Sequence, residues 1–122
     1  MVSGRNRLMP YPRRGEIYLV TLPGQPKDTK PRPALIVSLD VRNRLANDVV
    51  VVPISTTLRT SPTHVELPQG EGGLDQTSMA KCEQITTLDK SFLIRGPFSG
   101  TISPIKMTEV EKAIQRVIGI VT

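Results

Sequence analysis

The sequence predicts a mainly β protein with a single C-terminal helix, and three observations carry that expectation. Residues 34–38 (ALIVS) and 48–54 (DVVVVPI) are nearly continuous apolar runs rich in β-branched residues, as in strands covered on both faces. Shorter runs of the same character recur along the chain between stretches rich in Gly, Pro, Asn and Asp. Only the last stretch, SPIKMTEVEKAIQRVIGIV, spaces its apolar residues three and four apart. The expected result is about six or seven strands and one helix in a single domain.

Each element has a local reason. Residues 1–13 are basic and without a pattern, which reads as a flexible N-terminal arm, leaving 14–122 as the domain. GEIYLVTL (15–22) alternates and is β-branched enough for a first strand, and the polar, proline-rich GQPKDTKPRP follows as a loop. In KPRPALIVS (30–38) each proline fixes its own φ and restricts the residue before it, so Lys30 and Arg32 have few backbone states left at the head of the second strand. LDVRNRLAN suits a turn or a short helical connection to the third strand. THVELP (63–68) and SMAKCEQITTLD (78–89) read as two further strands separated by the glycines of QGEGGLDQT. FLIRGPFSGTIS holds one more short strand, broken at Gly96-Pro97. The helix opens with Ser103 as N-cap and Pro104 at its first position, and it offers Met107, Val110, Ile114, Val117 and Ile118 to the sheet.

Composition narrows the function. The chain has 122 residues, 38% hydrophobic and 22% charged, which argues against a membrane span and against global disorder. Sixteen Lys and Arg against eleven Asp and Glu give a net charge of +5, favouring polyanionic partners. Arg5, Arg7, Arg13 and Arg14 of that excess lie in or beside the arm. The N-terminus lacks an apolar segment of signal-peptide length, and one cysteine cannot form an internal disulfide, so a cytoplasmic setting is expected. With one histidine, one cysteine and no spaced ligand cluster, neither a metal nor a cofactor is expected. The four aromatic residues, Tyr11, Tyr18, Phe92 and Phe98, are too few for a sheet that stacks bases, so nucleic-acid contacts must be polar and charged.

Few residue groups can carry chemistry. His64 begins a strand and reads as a solvent-facing or locally hydrogen-bonded residue, and Cys82 as a half-buried strand residue with no histidine beside it to act as base. If strands 34–38 and 48–54 are neighbours, their ends bring Arg32 near the hydroxyls of ISTT (54–57), a pair suited to a phosphodiester. In KCEQ (81–84), Lys81 and Glu83 stand two apart, on one face of a strand, and would add a cation and a carboxylate to the same groove.

In order and spacing, RRGEIYLV, PRPALIVS, VRNR, VVVVPIST, PTHVELP, GGLDQTSMAKCEQITTLDK and the closing helix resemble the MazF/PemK toxins of bacterial toxin–antitoxin modules, from about Arg14 to the C-terminus. The resemblance implies a small SH3-like β-barrel with a C-terminal helix, a homodimer, and metal-independent cleavage of single-stranded RNA to 2′,3′-cyclic phosphate and 5′-hydroxyl ends. It also implies a MazE-like acidic antitoxin as partner and no membrane. The family arginine falls on Arg32 and its threonine on Ser55, with the usual Thr-Ser order reversed to Ser55-Thr56. An Arg and an Asp that flank the cysteine in some members are Lys81 and Glu83 here. Arg32, Ser55, Thr56 and Glu83 are thus the catalytic candidates, Glu83 as base on chemical grounds, and Lys30, Thr57, Arg59, Lys81 and Gln84 the RNA-binding ones. Lys27 lies on the same loops. The other expectations on this fold are a catalytically inactive RNA-binding module, opposed by the retention of Arg32 with a following hydroxyl, and a CcdB-like gyrase poison, opposed by PRPALIV and ISTT.

Overall fold

The computed structural model describes residues 11–24 and 30–120. The expected arm lies outside the described residues through position 10, and so do Arg5, Arg7 and Lys27. Residues 11–13 are held in place: Pro12 is buried, and the Arg13 guanidinium stacks 4.6 Å above the centre of the Tyr11 ring.

Seven strands form one sheet: β1 (Ile17–Val20), β2 (Arg32–Ile36), β3 (Asp48–Ser55), β4 (His64–Leu67), β5 (Ser78–Lys81), β6 (Thr86–Asp89) and β7 (Leu93–Arg95). The helices are α1 (Asp40–Leu45) and α2 (Pro104–Val117). Every pairing is antiparallel, in the order β4-β5-β3-β2-β1-β7, with β6 beside β3, and the sheet stays open between β4 and β7.

Strands β2 and β3 are buried on both faces because their apolar runs leave no polar alternate positions. Leu35, Val52 and Ile54 point to one layer with Ile17, Val65 and Leu67, closed by Met107, Val110 and Ala113 of α2. Ala34, Ile36, Val49 and Val51 point to the other, with Val20 and Leu88 and the flanking Tyr18 and Phe92. The Ser103 hydroxyl caps α2 by accepting from the Lys106 amide at 3.3 Å, with Pro104 following. Burying Val110 contributes roughly 2 kcal/mol. Ile118 lies beyond the helix and is exposed, so the apolar stripe ends at Val117.

The connection after β2 is the short helix α1, pinned by a buried amide. Asn43 donates from Nδ2 to the Ser38 carbonyl at 2.9 Å, the Ser38 hydroxyl donates to Asn43 Oδ1, and the Val50 amide donates to Ser38 Oγ at 2.9 Å. The turn before β5 requires glycine at Gly73: its φ is +92°, and a Cβ there would stand 2.9 Å from that of Phe98.

Residues 78–89 are not one strand, as the sequence suggests. β5 pairs Ile54 with Ala80, whereas β6 pairs Val51 with Thr86, so the register along β3 slips by three residues between them. The excess is taken up by a 3₁₀ turn, Cys82–Gln84. Strand alternation therefore ends at Lys81, and Lys81 and Glu83 do not share a strand face. Cys82 is fully buried rather than half-buried. No described helix is long and apolar enough to cross a membrane.

Candidate nucleic-acid interface

The β2–β3 register builds the site. Ala34 pairs with Pro53, Leu35 with Val52 and Ile36 with Val51, and Arg32 and Ser55 each lie two residues beyond the Ala34–Pro53 pair, both lining one groove. On the other side of β2, Arg32 pairs with Val20 of β1. A groove of about 400 Å³ opens here, floored by Val20, Leu22, Pro53 and Ile54 and walled by Lys30, Arg32, Ser55, Thr57, Lys81 and Gln84. Three cations and no carboxylate line it, so its field favours an anion.

The groups differ in how free they are. Arg14, Arg42 and Arg116 hydrogen-bond to Glu111, Asp48 and the Pro62 carbonyl, whereas the Arg32 guanidinium has no partner among the described residues. A planar fork of donors is thus presented to the groove. Ser55 Oγ accepts from the Thr57 amide at 3.1 Å, which leaves its hydroxyl proton to donate outward.

The structure brings together six of the nine residues singled out in the sequence: Lys30, Arg32, Ser55, Thr57, Lys81 and Gln84. Thr56 and Arg59 are exposed on the loop after β3 and do not line the groove. Glu83 is also outside it. Its carboxylate accepts from the Thr63 hydroxyl at 2.9 Å and pairs with His64 Nε2 at 2.9 Å, because the 3₁₀ turn aims it toward the start of β4. The expected shared face with Lys81 is lost for that reason. His64 makes the local hydrogen bonds expected of it, with Nδ1 also 2.6 Å from the Arg59 carbonyl. Val20 and Leu22, whose part in the groove floor depends on pairing with β2, have no signal of their own in the sequence.

Burial, and after it the charge of Glu83, pushes the Cys82 thiol up to about 12, so it is an inert core residue despite the neighbouring Lys81. Among the described residues no three His, Cys, Asp or Glu side chains gather as metal ligands.

A basic groove at one end of an antiparallel sheet, backed by a C-terminal helix, defines a small β protein built to hold a polyanion. The chain belongs to the PemK-like, MazF-like toxins of type II toxin–antitoxin systems, whose family model matches residues 13–118. It is 36% identical over 114 residues to the endoribonuclease MazF of Staphylococcus saprophyticus, across 90% of this chain and 93% of that one. With the endoribonuclease MazF of Staphylococcus epidermidis the identity is 35% over 112 residues, across 88% and 92%. The solved structure of an endoribonuclease in complex with its cognate antitoxin, from a mycobacterial species, superposes with a TM-score of 0.76 at 32% identity, covering 91% of this chain and 98% of that one.

Proposed function

We propose that the chain is a toxin endoribonuclease that cleaves single-stranded RNA, mRNA above all, at short sequences, thereby stopping translation and growth until an acidic antitoxin neutralises it. The observation that carries this reading is the groove lined by Arg32, without a partner among the described residues, together with Ser55 and two further cations. Family membership supports it.

In this reading the RNA supplies its own nucleophile. The 2′-oxygen attacks the adjacent phosphorus, the bond to the 5′-oxygen breaks, and the products carry a 2′,3′-cyclic phosphate and a 5′-hydroxyl. Arg32 stabilises the dianionic phosphorane, where fixed donors aimed at developing charge have their largest effect. Ser55 donates its hydroxyl to a phosphate oxygen, Lys30 and Lys81 hold neighbouring phosphates, and Thr57 and Gln84 offer neutral groups to bases. Glu83 is not assigned the base role, because its carboxylate is engaged by Thr63 and His64 outside the groove. The groove is lined by no carboxylate or imidazole, so the 2′-hydroxyl proton passes to water or to a phosphate oxygen, and the departing 5′-oxygen takes its proton from water.

The cleavage needs no metal ion, since guanidinium and ammonium groups supply the positive charge. The working unit is a homodimer in the cytoplasm, its sheet bent into the SH3-like barrel of the family, with two grooves joined into one channel able to hold several nucleotides. A disordered acidic antitoxin is drawn to this channel by the charge that attracts RNA. A labelled RNA incubated with the protein in EDTA is expected to be cut with cyclic phosphate ends. Loss of cleavage in EDTA, or cleavage beside a 2′-deoxyribose at the scissile position, would overturn the mechanism.

A further inference from the structure

We propose that His64 and Glu83 form a proton-dependent clasp that holds the loop of residues 56–63 against the turn of residues 82–84, making His64 a positioning residue for RNA binding. The inference rests on the endoribonuclease reading of the groove. The loop carries Thr57 and Arg59, and the turn carries Gln84, so the clasp joins two walls of the substrate channel.

The hydrogen-bond chemistry sets the proton count. A carbonyl only accepts, so the 2.6 Å contact to Arg59 requires a proton on His64 Nδ1. An ionised carboxylate also only accepts, so the 2.9 Å contact to Glu83 requires one on Nε2. Both bonds together need the imidazolium. A neutral ring must release either the middle of the loop or the turn. The imidazole is 7% exposed, so water is poorly placed to substitute for a lost partner.

The remaining anchors of the loop to the turn and to α2 lie at its far end, the Thr63 hydroxyl donating to Glu83 Oε1 at 2.9 Å among them. The Cys82 amide donates to the Thr63 carbonyl at 3.0 Å, and Arg116 of α2 donates to the Pro62 carbonyl at 3.0 Å. None of these reaches Arg59. The charged groups around the ring are Glu83 on the turn, Lys81 opposite His64 in the β4–β5 register, Glu66 on β4, Arg59 on the loop and Arg116 on α2.

The Arg59 carbonyl first, and the Glu83 hydrogen bond second, hold His64 above its ordinary value against burial and Lys81. Burial is the largest influence on Glu83 and acts upward, yet hydrogen bonds from His64, its own backbone amide and Thr63 together bring it below its ordinary value. The clasped form therefore predominates at pH 6.5, the ordinary histidine value, and is lost as pH rises through the raised value of His64. On the acid side it opens as pH falls through the lowered value of Glu83.

His64 is the sole histidine, so its ring resonances in an NMR titration report the clasp directly. Cleavage kinetics over the same pH range complete the test. The ring is expected to titrate above 6.5, and KM for RNA to rise about tenfold on passing that point while kcat changes less. Glu83→Gln, nearly isosteric, should move both the ring titration and the KM limb to lower pH together, and His64→Gln should leave KM high and flat with pH. A KM that stays flat through the ring titration, or a limb carried by kcat alone, overturns the positioning role. A ring titration unmoved by Glu83→Gln overturns the clasp. Absence of RNA cleavage at every pH overturns the endoribonuclease reading, and the NMR result still decides whether the clasp exists.

Discussion

Arg32 and Ser55 each lie two residues beyond the Ala34–Pro53 pair that ends the β2–β3 ladder, and both line the same groove, a guanidinium and a hydroxyl at the ends of adjacent strands. The apolar residues that continue this ladder, Ile36 and Val51, anchor it in the core. The position of both groups at the groove thus rests on the register of a buried ladder.

Replacing Arg32 by Ala should lower cleavage by at least about a hundredfold, the scale of losing one donor aimed at transition-state charge. Stability should change by no more than about 0.5 kcal/mol, as the side chain is exposed. Arg32→Lys should remain severely impaired, since a point charge cannot reproduce the fork. Cleavage rates and urea midpoints measured side by side check both; a Lys variant of near wild-type rate contradicts the fork argument.

Ser55 and Thr56 are distinguished by position, Ser55 lining the groove and Thr56 standing outside it. Ser55→Ala should cut the rate by roughly tenfold, in line with one lost neutral hydrogen bond. Thr56→Ala should leave it within about twofold. Reversal of that order in single-turnover assays would move the phosphate contact one residue along the loop.

RNA binding should weaken with salt, and Lys81→Ala should reduce the slope of log K against log salt by about 0.7, the single-strand value for one phosphate. A titration of a 2′-deoxy-substituted oligonucleotide at several salt concentrations measures it. An unchanged slope would take Lys81 off the phosphate backbone.

Asn43→Ala should cost about 2 kcal/mol by stranding the buried Ser38 carbonyl and hydroxyl. α1 lies at the end of the β2–β3 pair away from Arg32 and Ser55, so the folded variant should retain its KM for RNA. Urea denaturation and steady-state kinetics separate the two effects.

Cys82 should resist alkylation in the native protein at pH 8 and react once denaturant is added, because its thiol stays protonated up to about 12 and is fully buried. Mass spectrometry of iodoacetamide-treated samples is the readout.

The strands and the helix were legible because their signals are local. The runs of 34–38 and 48–54, the Ser103-Pro104 start and the three-and-four spacing of Met107, Val110, Ile114 and Val117 need no knowledge of distant residues. The neighbouring of Arg32 and the ISTT hydroxyls was equally accessible, as a consequence of pairing the two most apolar runs. The break at Cys82–Gln84 was not. It arises from a register slip between β5 and β6, which depends on where each meets β3 and leaves KCEQ looking like uninterrupted alternation. Glu83 was misplaced with Lys81 for that reason alone. The polar partners of His64 became visible only once β4 lay beside β5.

One edge of β3 is divided between β5 at Ile54–Ser55 and β6 at Asp48–Val51, and the 3₁₀ turn spans the gap between them. A chain emerging from the ribosome therefore carries Arg32 and Ser55 long before it has a finished groove. Until residues 78–89 are synthesised, that edge of β3 is unpaired and the wall bearing Lys81 and Gln84 does not exist. For a toxin of the MazF-like family this order of assembly postpones the hazard: the groove proposed to cut RNA is completed only when most of the polypeptide has been made.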